Sequence, residues 1–178
     1  MKKNLITTKE FINDSIGEWK SIRSTHTLAF HEFENTKSDI SISSIEITAD
    51  EVKDLLGKFE FNNQPEFALA INWKSKSDWI DENQVQKDRT ILVFIPKDIN
   101  SGILIRNKGY VESIHSNSDY LIDDNTLNIK TIYNSTISEE KIWFLSNNVR
   151  TRYSVIKNKQ NGSIIQTSHT SEIRRILI

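Results

Sequence analysis

A chain of 178 residues and 20.7 kDa, 37% hydrophobic, is long enough for one domain with a substantial core. Its formal net charge of −1 and sequence pI of about 6.4 supply none of the positive field that non-specific nucleic-acid binding needs. The absence of cysteine excludes disulfides, thiolate metal sites and a thiol nucleophile. No apolar run follows the basic tip Lys2-Lys3, and no later stretch is long enough to span a bilayer. A cytoplasmic protein without a membrane partner is expected. Residues 1–178 read as a single domain, with no linker, repeat or low-complexity segment.

Thr7 followed three residues on by Glu10 is a capping box and predicts a first helix, which Gly17 ends. Thr48 and Glu51 predict a second over 48–56, with Gly57 as its stop. Nearly everything else alternates or runs apolar at strand length. Strands are predicted at 19–33, 39–47, 67–73, 89–95, 102–106, 110–115, 120–123, 127–133, 141–145, 150–156, 163–167 and 172–177. Turn signals such as Asn62-Asn63, Ser101-Gly102, Lys108-Gly109, Asp123-Asp124-Asn125 and Asn161-Gly162 separate them. Many short sequential strands favour an all-β, closed antiparallel up-and-down barrel, which leaves no exposed edge; an open sandwich is the competing arrangement. Gly17-Glu18-Trp19 at the start of the first long strand, with Arg174-Arg175 in the last, is similar to the lipocalin Gly-x-Trp pattern. There a terminal-strand arginine stacks on the tryptophan and closes the barrel floor. Barrels of about eight to ten strands can hold one small ligand.

The segment 139–154 carries the clearest chemistry. Around Asn147-Asn148 it reads as two strands, and the second puts Arg150, Arg152 and Ser154 on one face. Guanidinium groups about 7 Å apart can each grip a carboxylate through paired hydrogen bonds. The alternative is an exposed arginine face over a core of Val149, Thr151, Tyr153 and Val155. A regular two-residue turn pairs Ser146 with Val149 and sends Glu140 away from the arginines. A three-residue loop or a bulge, with Ser146 against Arg150 and Asn147 or Asn148 left-handed, brings Glu140 to their side.

Other chemistry is absent from the sequence. The five glycines are too scattered for a phosphate loop, and there is no Gly-x-Ser-x-Gly elbow. His26 and His31 fall on opposite faces of a regular strand, and His115 and His169 have no nearby partner, so no metal site is expected. Trp73 ends an apolar strand and Trp79 follows in a charged loop, where burial needs a partner or ligand.

In order along the chain, Gly17-Glu18-Trp19-Lys20-Ser21-Ile22-Arg23-Ser24-Thr25-His26, Ile71-Asn72-Trp73 with Trp79, Arg106-Asn107-Lys108-Gly109-Tyr110, the 140–154 block and Ser171-Glu172-Ile173-Arg174 resemble the S-type phycobiliprotein lyases. Departures are small: Ser146-Asn147-Asn148 stands where that family often has Ser-Pro-Asn, and Ser24 where it usually has Thr. The resemblance implies a lipocalin-like barrel that binds an open-chain tetrapyrrole, a phycobilin, without covalent attachment. It then delivers the bilin to a cysteine of a phycobiliprotein subunit as a thioether. The bilin is substrate, and no cofactor is implied. By position Arg150 and Arg152 are implied as propionate anchors, Trp73 and Trp79 as stacking platforms and Glu140 as the acid, with Arg23, His26 and Ser154 as supporting lining. The Lys, Asn and Ile bias suits a small-genome marine phototroph, where phycoerythrobilin and phycoerythrin are expected. A non-catalytic bilin carrier, a partner subunit of a two-component lyase, and a carrier of another hydrophobic anion stay open, as does a homodimer.

Overall fold

The computed structural model describes residues 6–60, 63–78, 85–108 and 115–176. Ten antiparallel strands close into a barrel: β1 (Gly17–Thr27), β2 (Glu32–Ile45), β3 (Phe67–Ser77), β4 (Gln86–Pro96), β5 (Ser101–Arg106), β6 (Ser116–Asp123), β7 (Thr126–Ile132), β8 (Thr136–Ser146), β9 (Val149–Asn158) and β10 (Ile164–Arg174). Each pairs with its sequence neighbours, and β10 returns to β1, so the sheet has no free edge. The expected closed up-and-down barrel is what forms.

Helix α1 (Thr8–Ser15) closes one end of this barrel. Its capping box forms as the sequence predicts: the Glu10 amide donates to the Thr7 hydroxyl, and the Glu10 carboxylate accepts from the Thr7 amide at 2.8 Å. Phe11 and Ile12 point into the barrel beside Trp19, Ile42, Leu69, Phe94, Leu104, Leu127 and Ile142. Backbone contacts hold the plug at the rim, from Ile6 to the Asn125 side chain and from Thr8 to the Ile99 carbonyl. Helix α2 (Asp50–Leu56) lies outside the barrel. Its Val52 and Leu55 cover the outward row of Ala68, Ile91, Val93, Ile95 and Ile105. Its predicted capping box does not form: the helix starts two residues late, at a cap residue, Ala49, that has no side chain to donate or accept.

Several strand boundaries differ from expectation. The stretch 19–33 is two strands, because Leu28–Phe30 makes a 3-10 turn and His31 takes the left-handed conformation at φ 54°. No glycine, asparagine or proline marks this turn. The histidine parity argument, which assumed one regular strand, therefore lapses. The two strands predicted at 163–167 and 172–177 are one continuous strand over Ile164–Arg174, β10; residue 177 lies outside the described residues. The predicted strand 110–115 falls almost wholly outside the described residues, as do Gly109, Asn62 and Trp79.

The β8–β9 hairpin resolves the register question. Ser146 pairs with Val149 across a two-residue turn, then a bulge at Leu145 sets Phe144 opposite Arg150 and Glu140 opposite Ser154. The bulge was expected, but it shifts the register in the opposite direction from Ser146 against Arg150. Neither Asn147 nor Asn148 is left-handed. Leu145 is 67% exposed while Phe144 turns inward to meet Phe11 at 5.3 Å and Trp19 at 6.2 Å. Either shift by one residue returns Glu140 to the arginine face.

Gly17 shows what the closed end demands. Its φ of 138° suits glycine, and a Cβ there would stand 2.5 Å from Nη1 of Arg174. Gly17→Ala should therefore lower unfolding stability by about 1–3 kcal/mol, measured by urea denaturation. Parent-like stability would show that the Arg174 contact yields freely.

Candidate functional site

At the closed end the indole of Trp19, with no solvent exposure, lies between two guanidinium groups: Arg150 at 4.5 Å and Arg174 at 4.2 Å from the ring centroid. Its Nε1 donates to the Ser15 carbonyl at 3.0 Å. Arg174 donates to the carbonyls of Asp14, Ile16 and Asn147, tying α1 and the β8–β9 turn to β10. Arg150 is 3% exposed and ion-paired through Nε with the equally buried Glu172. Burial pulls the basicity of Arg150 below its ordinary value, opposed by the Glu172 carboxylate and helped by the charge of Arg152.

Above this floor the barrel encloses a cavity of about 440 Å³. Its lower wall is apolar, with Phe11, Ile12, Ile42, Leu69, Phe94 and Leu104. Charge enters halfway up. Arg152 lies one inward step above Arg150 on β9, and Arg23 occupies the same level on β1, with Thr170 of β10 between them in the register. The two are thus two strands apart, about 10 Å. Nε of Arg23 is buried with no hydrogen-bond partner among the described residues. On β8, the strand next to β9, Glu140 lies beside the Arg152 level, and Nη2 of Arg106 from β5 donates to its Oε1 at 2.7 Å, with both side chains buried. At the mouth the Lys108 ammonium and the Arg89 backbone N–H hold the Asp88 carboxyl below the usual carboxylate range. Trp73 lines the cavity from β3, half-buried.

The fold therefore brings together Glu140, Arg150, Arg152, Arg23 and Trp73 from the sequence-predicted set. It does not bring His26, whose ring is exposed outside the barrel against Phe33 at 4.8 Å. On β1 the inward residues are Ser21, Arg23 and Thr25, so a side chain at 26 must point out. Ser154 is turned inward beside Glu140 but is buried against Ser168 (Oγ–Oγ 2.7 Å) and does not reach the cavity surface. Trp79 lies outside the described residues. Sequence reasoning missed Arg106 and Glu172, the two buried partners. Inward alternation from Leu104 to Arg106, and from Thr170 through Glu172 to Arg174, was the available signal.

The CpeS-like protein family model matches residues 7–175. The chain belongs to this family. A chromophore lyase CpcS/CpeS from Trichodesmium erythraeum is 39% identical over 93% of this chain and 98% of its own length. A putative phycoerythrobilin lyase CpeS from Microchaete diplosiphon is 32% identical, over 83% of this chain and 67% of its own. The solved S-type phycobiliprotein lyase from Guillardia theta superposes with a TM-score of 0.82 at 29% identity, over 97% of this chain and 95% of its own.

Breaking a buried ion pair strands one charge in the interior. Arg150→Ala should cost about 3–5 kcal/mol of stability by leaving Glu172 unpaired, read from denaturant unfolding. Glu172 would have to be reached by water for the loss to stay below about 1 kcal/mol.

Proposed function

We propose that this protein is a phycobiliprotein chromophore lyase that holds an open-chain tetrapyrrole in its barrel and passes it to a cysteine of an acceptor subunit. One observation carries the reading beyond family membership: a cavity with an apolar floor, ringed by Arg23, Arg152, Arg106 and Glu140 and walled by Trp73. Those groups match the parts of a bilin: two flexible propionates, a run of pyrrole N–H donors and flat rings. The finer reading takes phycoerythrobilin as cargo and a phycoerythrin subunit as acceptor, in keeping with the name of the Microchaete diplosiphon relative.

Arg152 and Arg23 are the better propionate anchors. Arg150, committed to Glu172 and Trp19, fixes the strand that aims Arg152. In its ion pair with Arg106, Glu140 is a hydrogen-bond acceptor, suited to pyrrole N–H groups and to stabilising a protonated tetrapyrrole. Attachment is an addition. The cysteine sulfur bonds to the ethylidene carbon, the exocyclic double bond is consumed, and the thiol hydrogen ends on the tetrapyrrole, so no oxidant is needed. The chain contributes orientation, choice of face and electrostatics. A non-catalytic carrier is the second reading, favoured by the commitment of Glu140 to Arg106.

Purified protein mixed with phycoerythrobilin should turn coloured with a sharpened, red-shifted band, and denaturing electrophoresis should leave no pigment on this chain. Pigment that survives denaturation would overturn non-covalent binding. Transfer to bilin-free phycoerythrin subunits then separates lyase from carrier.

Arg152→Ala should weaken bilin binding by about 1.5–3 kcal/mol, with Arg152→Lys a poor rescue where the contact is bidentate. Glu140→Gln should keep much of the affinity while slowing or misdirecting attachment. Parent-like titrations for Arg152→Ala would remove the propionate contact.

A further inference from the structure

The outer face of β1–β4 carries a charge pattern that the fold does not need. Outward side chains there include Lys20, Lys37, Lys74, Lys76 and Lys87, all exposed. In the register Lys37 stands opposite Lys76, and Lys74 opposite Lys87. Like charges directly across a strand pair disfavour the sheet. Acids within the face are Glu18, which accepts from the Ser41 hydroxyl, and Asp39, which lies 4.0 Å from Lys20 and opposite Lys74 in the register, so the lysines outnumber them. Among the described residues none of Lys37, Lys74, Lys76 and Lys87 is ion-paired, although the whole chain is slightly acidic. Lysines often guard a sheet edge against pairing, but a closed barrel has no edge to guard.

The location gives the face a use. Lys76 is followed by Ser77, and Lys87 is flanked by Gln86 and Asp88; those three neighbours line the cavity mouth. Ile22, 56% exposed, lies opposite Lys37 and gives the patch an apolar contact. A protein seated there stands beside the opening through which cargo must leave.

We propose that this lysine face docks an acidic surface of the acceptor subunit and orients it at the cavity mouth, an inference that takes the partner's identity from the lyase reading above. Opposite charge on the partner speeds encounter and fixes orientation more than it adds affinity.

The test replaces Lys37, Lys74, Lys76 and Lys87 together by Gln and, in a second variant, by Arg. Association of the bilin-free proteins with immobilised bilin-free phycoerythrin α and β subunits is followed at low and high salt, beside phycoerythrobilin titrations and transfer rates. The parent should associate faster at low salt. The Gln variant should lose about tenfold or more of that on-rate and of the transfer rate, with its salt dependence flattened. The Arg variant should behave as the parent, and bilin affinity should be equal in all three. A Gln variant that associates at the parent's rate, an Arg variant that fails to restore it, or a parent that associates with neither subunit overturns the docking face. So does a parent that prefers phosphatidylserine-containing vesicles to the subunits. Bilin uptake without any effect of the Gln changes leaves the lyase reading standing. A parent that takes up no bilin removes that reading, and the association of the bilin-free proteins then decides the face by itself.

Discussion

Trp19 held between Arg150 and Arg174 is the contact on which the barrel and its cavity both depend. A fully buried indole fills the closed end, and its ring meets two cations, each satisfied elsewhere. Arg174 spends its donors on three carbonyls from α1 and the β8–β9 turn. Arg150 is neutralised by Glu172. A desolvated cation–π contact adds about 2 kcal/mol, but burying a guanidinium costs several unless it is paired and bonded. The arrangement meets that condition on both sides, so three ionic side chains serve as floor without opening it to water. Gly17 follows from the same geometry, since only a residue without Cβ leaves room for Arg174.

The floor also sets the chemistry above it. Arg150 and Arg152 share a face by strand parity, and a rigid Arg150 fixes where Arg152 projects. Glu140 stands beside that face on β8 and is paired with Arg106 from β5, so the cavity presents charges of both signs, two pairs of them neutralised in place. Pre-paired charges keep the empty cavity from collapsing onto unbalanced ions. They also offer a ligand with acids and N–H donors a set of dipoles already oriented.

Much of this was legible in the sequence where one local rule decided the outcome. Thr7 and Glu10 capped α1, strand alternation placed Arg150 and Arg152 together, and Gly17-Glu18-Trp19 with Arg174 marked the closed end. What was not legible depended on tertiary balance. The turn at Leu28–Phe30 has no turn residues, and the strain of a left-handed His31 is carried by eleven register pairs between β1 and β2. The Thr48 cap lost to a helix start fixed by packing Val52 and Leu55 on the barrel wall. The β8–β9 bulge lets Phe144 enter the core, but a shift in either direction would do that, so no rule local to the turn gave its direction. His26 was named as lining by position in the family pattern, whereas strand parity with Arg23 turns it to the outer face.

The distribution of polar groups inside the barrel carries one further consequence. The inward residues of β6–β10 toward the open end are mostly small hydroxyls, with Ser118 bonded to Thr131 and Ser154 to Ser168, and none of these four lines the cavity. The cavity mouth is instead framed by β2, β3, β4 and the segment just after β5 through Glu34, Ser77, Gln86, Asp88 and Lys108. Space for a flat ligand therefore runs from the arginine level toward one side of the barrel rather than along its axis. On the function proposed above, cargo held by acids at the arginine level would present its other end toward β3 and β4. With no cysteine anywhere in the chain to compete for an electrophile, that presented end stays available to an incoming thiol. An asymmetric mouth in a nucleophile-poor barrel is thus a selective device: it decides which end of a ligand meets a partner, before any group on that partner reacts.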